Sequence, residues 1–172
     1  MRPIEATPFT IVDDDGVLVL ASASALRARA AGEPFDYRFP RELLARMAAA
    51  DLCAWYSGGE DEYAIVVEGE ESRLFAPPAD DAQVIEHTLR LRERDELLLM
   101  PYSAFTLACD SSGSSGPRVP GLSAAVGVFD AGEYEVRVGR RPQQRCSFVV
   151  AIRVAATARP SRERDDLPGW RE

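Results

Sequence analysis

Hydrophobic positions along this chain recur mostly with a period of two, in short runs separated by turn-forming residues. Phe9–Val12, the turn Asp13–Gly16 and Val17–Ala21 read as strand, turn and strand, because β-branched and apolar residues flank an Asp-Gly pair. Leu52–Tyr56 and Tyr63–Val67 are two more apolar runs, joined by Ser57–Glu62, which holds Gly58-Gly59. Arg73–Phe75 reads as a short strand ended by Pro77-Pro78. Val84–Leu91 puts Leu89 and Leu91 on one face, with Arg90 and Arg92 opposite. Leu97–Met100 and Ala104–Cys109 follow as strands broken at Pro101. Ala124–Phe129, the turn Asp130-Ala131-Gly132 and Tyr134–Val138 predict a hairpin; Tyr134, Val136 and Val138 share one of its faces. Ser147–Ala155 closes the pattern as a long apolar strand.

Two segments carry helical spacing instead. Pro40 suits a first helical position, and Leu43, Leu44, Met47 and Ala48 then fall on one face, which predicts a helix over Pro40–Ala50. Ser22–Ala31, rich in Ala and Arg, reads as a shorter helix ending at Gly32. About eight or nine short strands with one or two short helices predict a mainly β protein, an antiparallel β-sandwich. Residues 1–156 are expected to form one domain. Residues 157–172 balance four Arg against four acids and are expected to be a disordered tail.

Composition changes this picture little; charge changes it more. Hydrophobic residues make up 46% of the 172 and charged ones 28%, ordinary proportions that argue against wholesale disorder. The net charge is −8, unevenly spread: residues 1–86 hold 17 acids and 7 bases, and residues 87–172 hold 11 acids and 13 bases. The acids gather in predicted turns: Asp13 to Asp15, Glu60 to Glu62, Glu68 to Glu71, and Asp80-Asp81. Such a surface attracts a basic partner and repels nucleic acid and anionic membrane. All 20 basic residues are Arg, with no Lys and no Asn, as codons rich in G and C would give.

Little in the chain points to catalysis. The one histidine, His87, lies in a predicted strand, where a rim position is the common reading, and no Gly-x-Ser-x-Gly elbow accompanies it. Three widely spaced cysteines, Cys53, Cys109 and Cys146, make neither a disulfide framework nor a zinc motif. Asp13-Asp14-Asp15-Gly16 opens like a calcium loop but lacks the later Glu, so a hairpin turn is the better reading. No cofactor or metal is called for, and the expectation is a protein that is not an enzyme. No run approaches the ~18 apolar residues of a membrane span. Met1–Ala6 has no apolar core of a secretory signal, so a cytoplasmic protein is expected.

Trp55, Tyr56 and Tyr63 flank the most acidic turn, where aromatics could receive Arg or Lys side chains. Strand alternation sends Trp55 and Tyr56 to opposite faces, so a core role for Trp55 competes evenly with a binding role. The candidate partner-binding set is therefore Glu60, Asp61, Glu62, Glu68, Glu70 and Glu71, with Trp55, Tyr56 and Tyr63 as anchors.

Ala54–Val67, an apolar strand, a Gly and acid turn and then Tyr-x-x-Val, is similar to a stretch of small bacterial β-sandwich proteins of unknown function. Leu97–Tyr102, then Asp130-Ala131-Gly132-Glu133-Tyr134 and a final apolar strand, resembles the competence protein J-like nuclease inhibitors over the last third of the chain. That resemblance implies a cytosolic inhibitor or immunity protein that masks a toxin, often a nuclease. It carries over no inhibitor residue. With the acidic turns, the expectation is an acidic binding protein that masks a basic toxin or nuclease. The alternative is a sandwich that binds a small molecule or sugar at the mouth near Asp110–Gly121, a loop rich in Ser, Gly and Pro.

Overall fold

A computed structural model describes residues 8–30, 38–76, 83–110, 119, 121–141, 147–155 and 164–170. Its strands are β1 (Phe9–Asp13), β2 (Val17–Ser22), β3 (Leu52–Tyr56), β4 (Asp61–Glu68), β5 (Val84–Leu91), β6 (Asp95–Pro101), β7 (Ala124–Phe129), β8 (Gly132–Arg140) and β9 (Ser147–Val154). The helices are α1 (Ala23–Ala30), α2 (Arg41–Ala48) and α3 (Tyr102–Asp110). A 3-10 turn spans Arg73–Phe75. The protein is mainly β, with the strands in two sheets of order β1-β4-β9-β8-β5 and β3-β2-β6-β7. Among the described strands the ladders are antiparallel except β4 with β9, and an isolated parallel bridge joins Tyr56 to Gly169.

The sheets pack face to face. Leu18, Leu20, Trp55 and Leu99 of the four-stranded sheet meet Ile65, Val136, Phe148 and Val150 of the five-stranded one. The other face of the four-stranded sheet carries Val19, Ala54, Leu98 and Met100, and these are covered by Leu26, Leu43, Met47 and Phe105 from the three helices. The result is three layers, helices on sheet on sheet. A strand buried on both faces needs apolar residues throughout, and β2 is buried at every position. By contrast β5, with one face to solvent, alternates inward Ile85, His87, Leu89 and Leu91 with outward Glu86 and Arg90.

That solvent face of the five-stranded sheet is polar but not loose. Glu135 accepts from Arg137 Nε at 2.8 Å and from Arg153 Nη2 at 2.6 Å, and Arg137 Nη2 lies 2.9 Å from Glu86. Burial works to raise the Glu135 carboxyl, yet the two guanidinia outweigh it and hold the group below its usual range. The Arg-rich later strands thus pair with the chain's own acids, Arg90 with Glu133 at 2.8 Å among them.

The turns differ from the sequence reading in one consistent way. Both predicted hairpins, Phe9 to Ala21 and Ala124 to Val138, are crossovers between the sheets: β1 pairs with β4, β2 with β3 and β6, β7 with β6, and β8 with β5 and β9. The β3–β4 and β5–β6 connections cross in the same manner. Turn residues report that the chain reverses, but which sheet the next strand joins depends on which face must be buried. At the last crossover Phe129 and Tyr134 meet edge to face across the core, 5.5 Å between centroids, where a hairpin would lay their strands side by side.

Three further expectations are corrected. Ala104–Cys109 belongs to helix α3, whose buried residues Ala104, Phe105, Ala108 and Cys109 repeat at helical spacing. Arg73–Phe75 is the 3-10 turn rather than a strand; the Ser72 hydroxyl accepts from the Leu74 amide at 3.2 Å and caps it. Part of the supposed disordered tail is docked. Tyr56 N–H donates to the Pro168 carbonyl at 2.8 Å, Trp170 N–H donates to the Tyr56 carbonyl at 3.1 Å, and Leu167 is buried against the helical layer. The tail backbone runs so close to Tyr56 that a Cβ at Gly169 would collide with it, and Gly169 adopts φ +138°.

Candidate functional site

The register of β1 against β4 sets Asp13 opposite Asp61 and Val12 opposite Glu62. Two acidic turns more than forty residues apart in sequence therefore meet at one end of the sandwich. Gly16, at φ +74°, lets the first turn pass against Gly59 in the second, and the Ser57 amide donates to the Gly16 carbonyl at 3.0 Å. Asp14, Asp15, Glu60, Asp61 and Glu62 are exposed there.

Asp13 is the buried pivot of this end. Its Oδ1 accepts from the amides of Asp15, Gly16 and Val17 at 3.1 to 3.3 Å, and its Oδ2 accepts from the Ser57 hydroxyl at 2.5 Å. Asp15 and Asp14 grip the start of α3: Ser103 N–H donates to Asp15 Oδ2 at 2.6 Å, and Ser103 Oγ donates to Asp14 Oδ1 at 2.7 Å. Acids at a helix start complement its positive end. Partial desolvation of the carboxyl, reinforced by a hydrogen bond and repulsion from Asp13, pushes the otherwise exposed Asp15 up to about 7, against the amides of Ser103 and Val17 that favour the charged form. One ligand oxygen from each of Asp13, Asp14 and Asp15 lies within 4.8 Å of the others, a spacing that a cation could bridge. The hydrogen bonds just described account for this grouping structurally.

The proposed anchors are placed differently. Trp55 and Tyr63 lie in the core between the sheets, 0% and 2% exposed, and so are unable to receive a partner's side chains. Both alternate inward on strands whose inner faces make that core. Tyr63 is held further by its hydroxyl, which donates to the Gly59 carbonyl at 2.8 Å. Tyr56 points to the opposite face, as alternation requires, and packs edge-on against Phe39 at 6.4 Å. Its hydroxyl reaches Asp166 of the tail at 3.4 Å.

Two aromatics that the sequence reading passed over take the place beside the acids. Phe39, 42% exposed, packs on Tyr102 at 5.1 Å, and Tyr102 directly precedes the Ser103 that Asp14 and Asp15 hold. No local sequence signal marks them. Phe39 precedes a proline in a segment without periodicity, and Tyr102 stands at a strand-to-helix junction read as an interrupted strand.

The second acidic group stands apart. Glu68, Glu70 and Glu71 lie at the far end of β4 from Asp61, about 23 Å away along the strand. Glu68 is half-buried and accepts from the Ser72 hydroxyl at 2.6 Å, so it supports the cap of the 3-10 turn. Glu70 and Glu71 are exposed beside it.

Other chemistry-bearing residues are structural in placement. His87 faces inward on β5, 9% exposed, which corrects the expected rim position; its partners across the pairing are the inward Val136 and its neighbours. Burial first, and the Arg164 charge second, push its imidazole down to about 3. Cys53 is buried, and burial pushes its thiol well up, far from a reactive thiolate. The loop proposed for a small-molecule site lies mostly outside the described residues. Among the described helices none is long and apolar enough to cross a membrane.

No family model matches the chain, and no curated protein matches it. Among solved structures it is similar to "Crocagin biosynthetic gene J", 9% identical, over 87% of this chain and 97% of that one, with a TM-score of 0.48.

Proposed function

We propose that the protein works by binding a basic protein partner at the acidic end of its sandwich. The β1–β4 register supports this reading above any other observation, because it gathers the two acidic turns into a single surface. Asp14, Asp15, Glu60, Asp61 and Glu62 supply the charge, and Phe39 with Tyr102 supplies the apolar contact beside it. Charge complementarity speeds encounter and fixes orientation, while aromatic anchors slow dissociation.

The partner class that suits this surface is a nuclease or comparable basic toxin, whose cleft for phosphates accepts carboxylates in their place. An inhibitor or immunity role then follows from occupancy alone, with no chemistry performed. Asp15 adds a signature: a cation docking here lowers its raised pKa, so association releases protons near neutral pH.

A pull-down from the lysate of the source organism at low and high salt tests the reading. The expected result is a basic protein retained at low salt, weakened at high salt, and lost with the E60Q/D61N/E62Q variant. Equal capture by the variant would remove this surface from consideration.

A further inference from the structure

At the opposite end of β2 from the acidic turns, about 17 Å along the strand, lies a pocket of about 480 Å³. It opens where the end of β2, the first turn of α1, the last turn of α2 and the β5–β6 turn converge. Its volume falls within the range of small-molecule sites, roughly 300–1,000 Å³. Arg46, Arg90 and Arg92 line it together with Ser24, Asp51 and Glu93, three arginines against two acids. In a chain of net charge −8 this is a locally cationic lining.

The three arginines are held to different degrees. The Arg46 side chain is 13% exposed, with Nη2 donating to the Ala25 carbonyl at 3.1 Å and the guanidinium 5.7 Å over the Phe105 ring. Its Nη1 is buried and makes no hydrogen bond, an arrangement that packing alone does not favour. Arg90 reaches this region with its backbone, whose amide donates to the Ala50 carbonyl at 2.8 Å. Its guanidinium stays on the outer face of the five-stranded sheet, where Nε and Nη2 donate to Glu133 Oε1 at 2.9 and 2.8 Å. Arg92 is 84% exposed and reaches Asp51 only at 3.9 Å, so it can swing onto a ligand. A buried cation and a mobile one at one cavity make a clamp for an oxyanion, which guanidinium forks match in geometry.

The acids on the same wall narrow the ligand further. Asp51 and Glu93 repel a polyanion such as a nucleic acid strand, but accept hydrogen bonds from the hydroxyl or amino groups of a small molecule. We propose that this pocket binds a small organic oxyanion, a phosphate monoester or a carboxylate bearing hydroxyl or amino groups, held by Arg46 and Arg92. This site is independent of the acidic end, and either can fail without the other.

Amide chemical-shift titration of the full chain tests it, with glucose 6-phosphate and malate as probes and sodium chloride at equal ionic strength as the control. The expected result is a saturable shift at Ser24, Ala25, Arg92 and Glu93 with one probe or both, absent with chloride; which probe succeeds separates phosphate from carboxylate. Arg92→Gln, on an exposed side chain that leaves the fold intact, should weaken that binding roughly tenfold. Arg46→Gln should weaken it at least as much. The absence of a saturable shift with either probe, or unchanged affinity in Arg92→Gln, would overturn the proposal.

Discussion

The two acidic segments of this chain look alike in sequence and end in different roles. Glu60-Asp61-Glu62 meets Asp13-Asp14-Asp15 across the β1–β4 pair and becomes part of a surface. Glu68 to Glu71, only one strand further along, is left at the other end, where Glu68 serves a turn cap and its neighbours face solvent. A run of charge therefore becomes a site through strand register rather than through its own composition. The same holds for the aromatics: Trp55 and Tyr63 sit next to the acids in sequence and in the core in space.

The largest effect that sharpens this comparison belongs to the buried pivot. Asp13→Ala removes the acceptor of four hydrogen bonds and leaves buried donors unsatisfied, so a loss of about 2–4 kcal/mol in urea unfolding is expected. A loss below about 0.5 kcal/mol would mean that the two turns are not tied together through Asp13.

Acid sensitivity comes next, and its sign separates two groups. The folded pKa of His87 is depressed from 6.5 to about 3, so the unfolded chain binds the extra proton and stability falls as pH drops through that window. The slope approaches about 1.4 kcal/mol per pH unit at most. Asp15 acts oppositely: its raised pKa favours the folded state below about 4, and that contribution is lost as pH rises through about 7. Solvent screening weakens the exposed Asp15, so the His87 slope should dominate between pH 4 and 6.5. Chemical denaturation against pH should show His87→Leu flattening or inverting the slope and Asp15→Asn steepening it; an unchanged profile in His87→Leu would contradict the buried neutral imidazole.

The smallest effect concerns the far end of β4. Glu68→Gln keeps an acceptor for Ser72 and loses only its charge, so a change of about 0.5–1 kcal/mol is expected in thermal unfolding. Double replacement of Glu70 and Glu71 by Gln should be near neutral for stability.

Much of the fold was legible from periodicity. Most strands and both earlier helices stand where alternation, Pro40 and the turn residues put them, because burial on one face imprints a period of two. What escaped has a common physical origin in the second layer of burial. The four-stranded sheet is covered on both faces, so β2 and β6 read as continuous apolar runs that reveal neither their neighbours nor their side. In the same way the apolar Ala104–Cys109 resembled a strand, although Ala104, Phe105, Ala108 and Cys109 share one helical face. Of the acidic end, Glu60, Asp61 and Glu62 were legible in the sequence as site residues, whereas Asp14, Asp15 and the aromatics beside them were not. Glu60, Asp61 and Glu62 stay exposed in their turn, whereas Asp14 and Asp15 join them through the β1–β4 register, and Phe39 and Tyr102 come together only through packing of non-local segments.

The most direct test of the central claim is the association rate with the captured partner, measured by stopped flow as salt is raised. Wild type, E60Q/D61N/E62Q and E70Q/E71Q would be compared side by side. The account predicts that the first variant associates about tenfold more slowly at low salt and loses most of its salt dependence, while the second follows wild type. Equal slowing by both variants would mean that only net charge matters, and the assignment of the acidic end as the binding surface would be wrong.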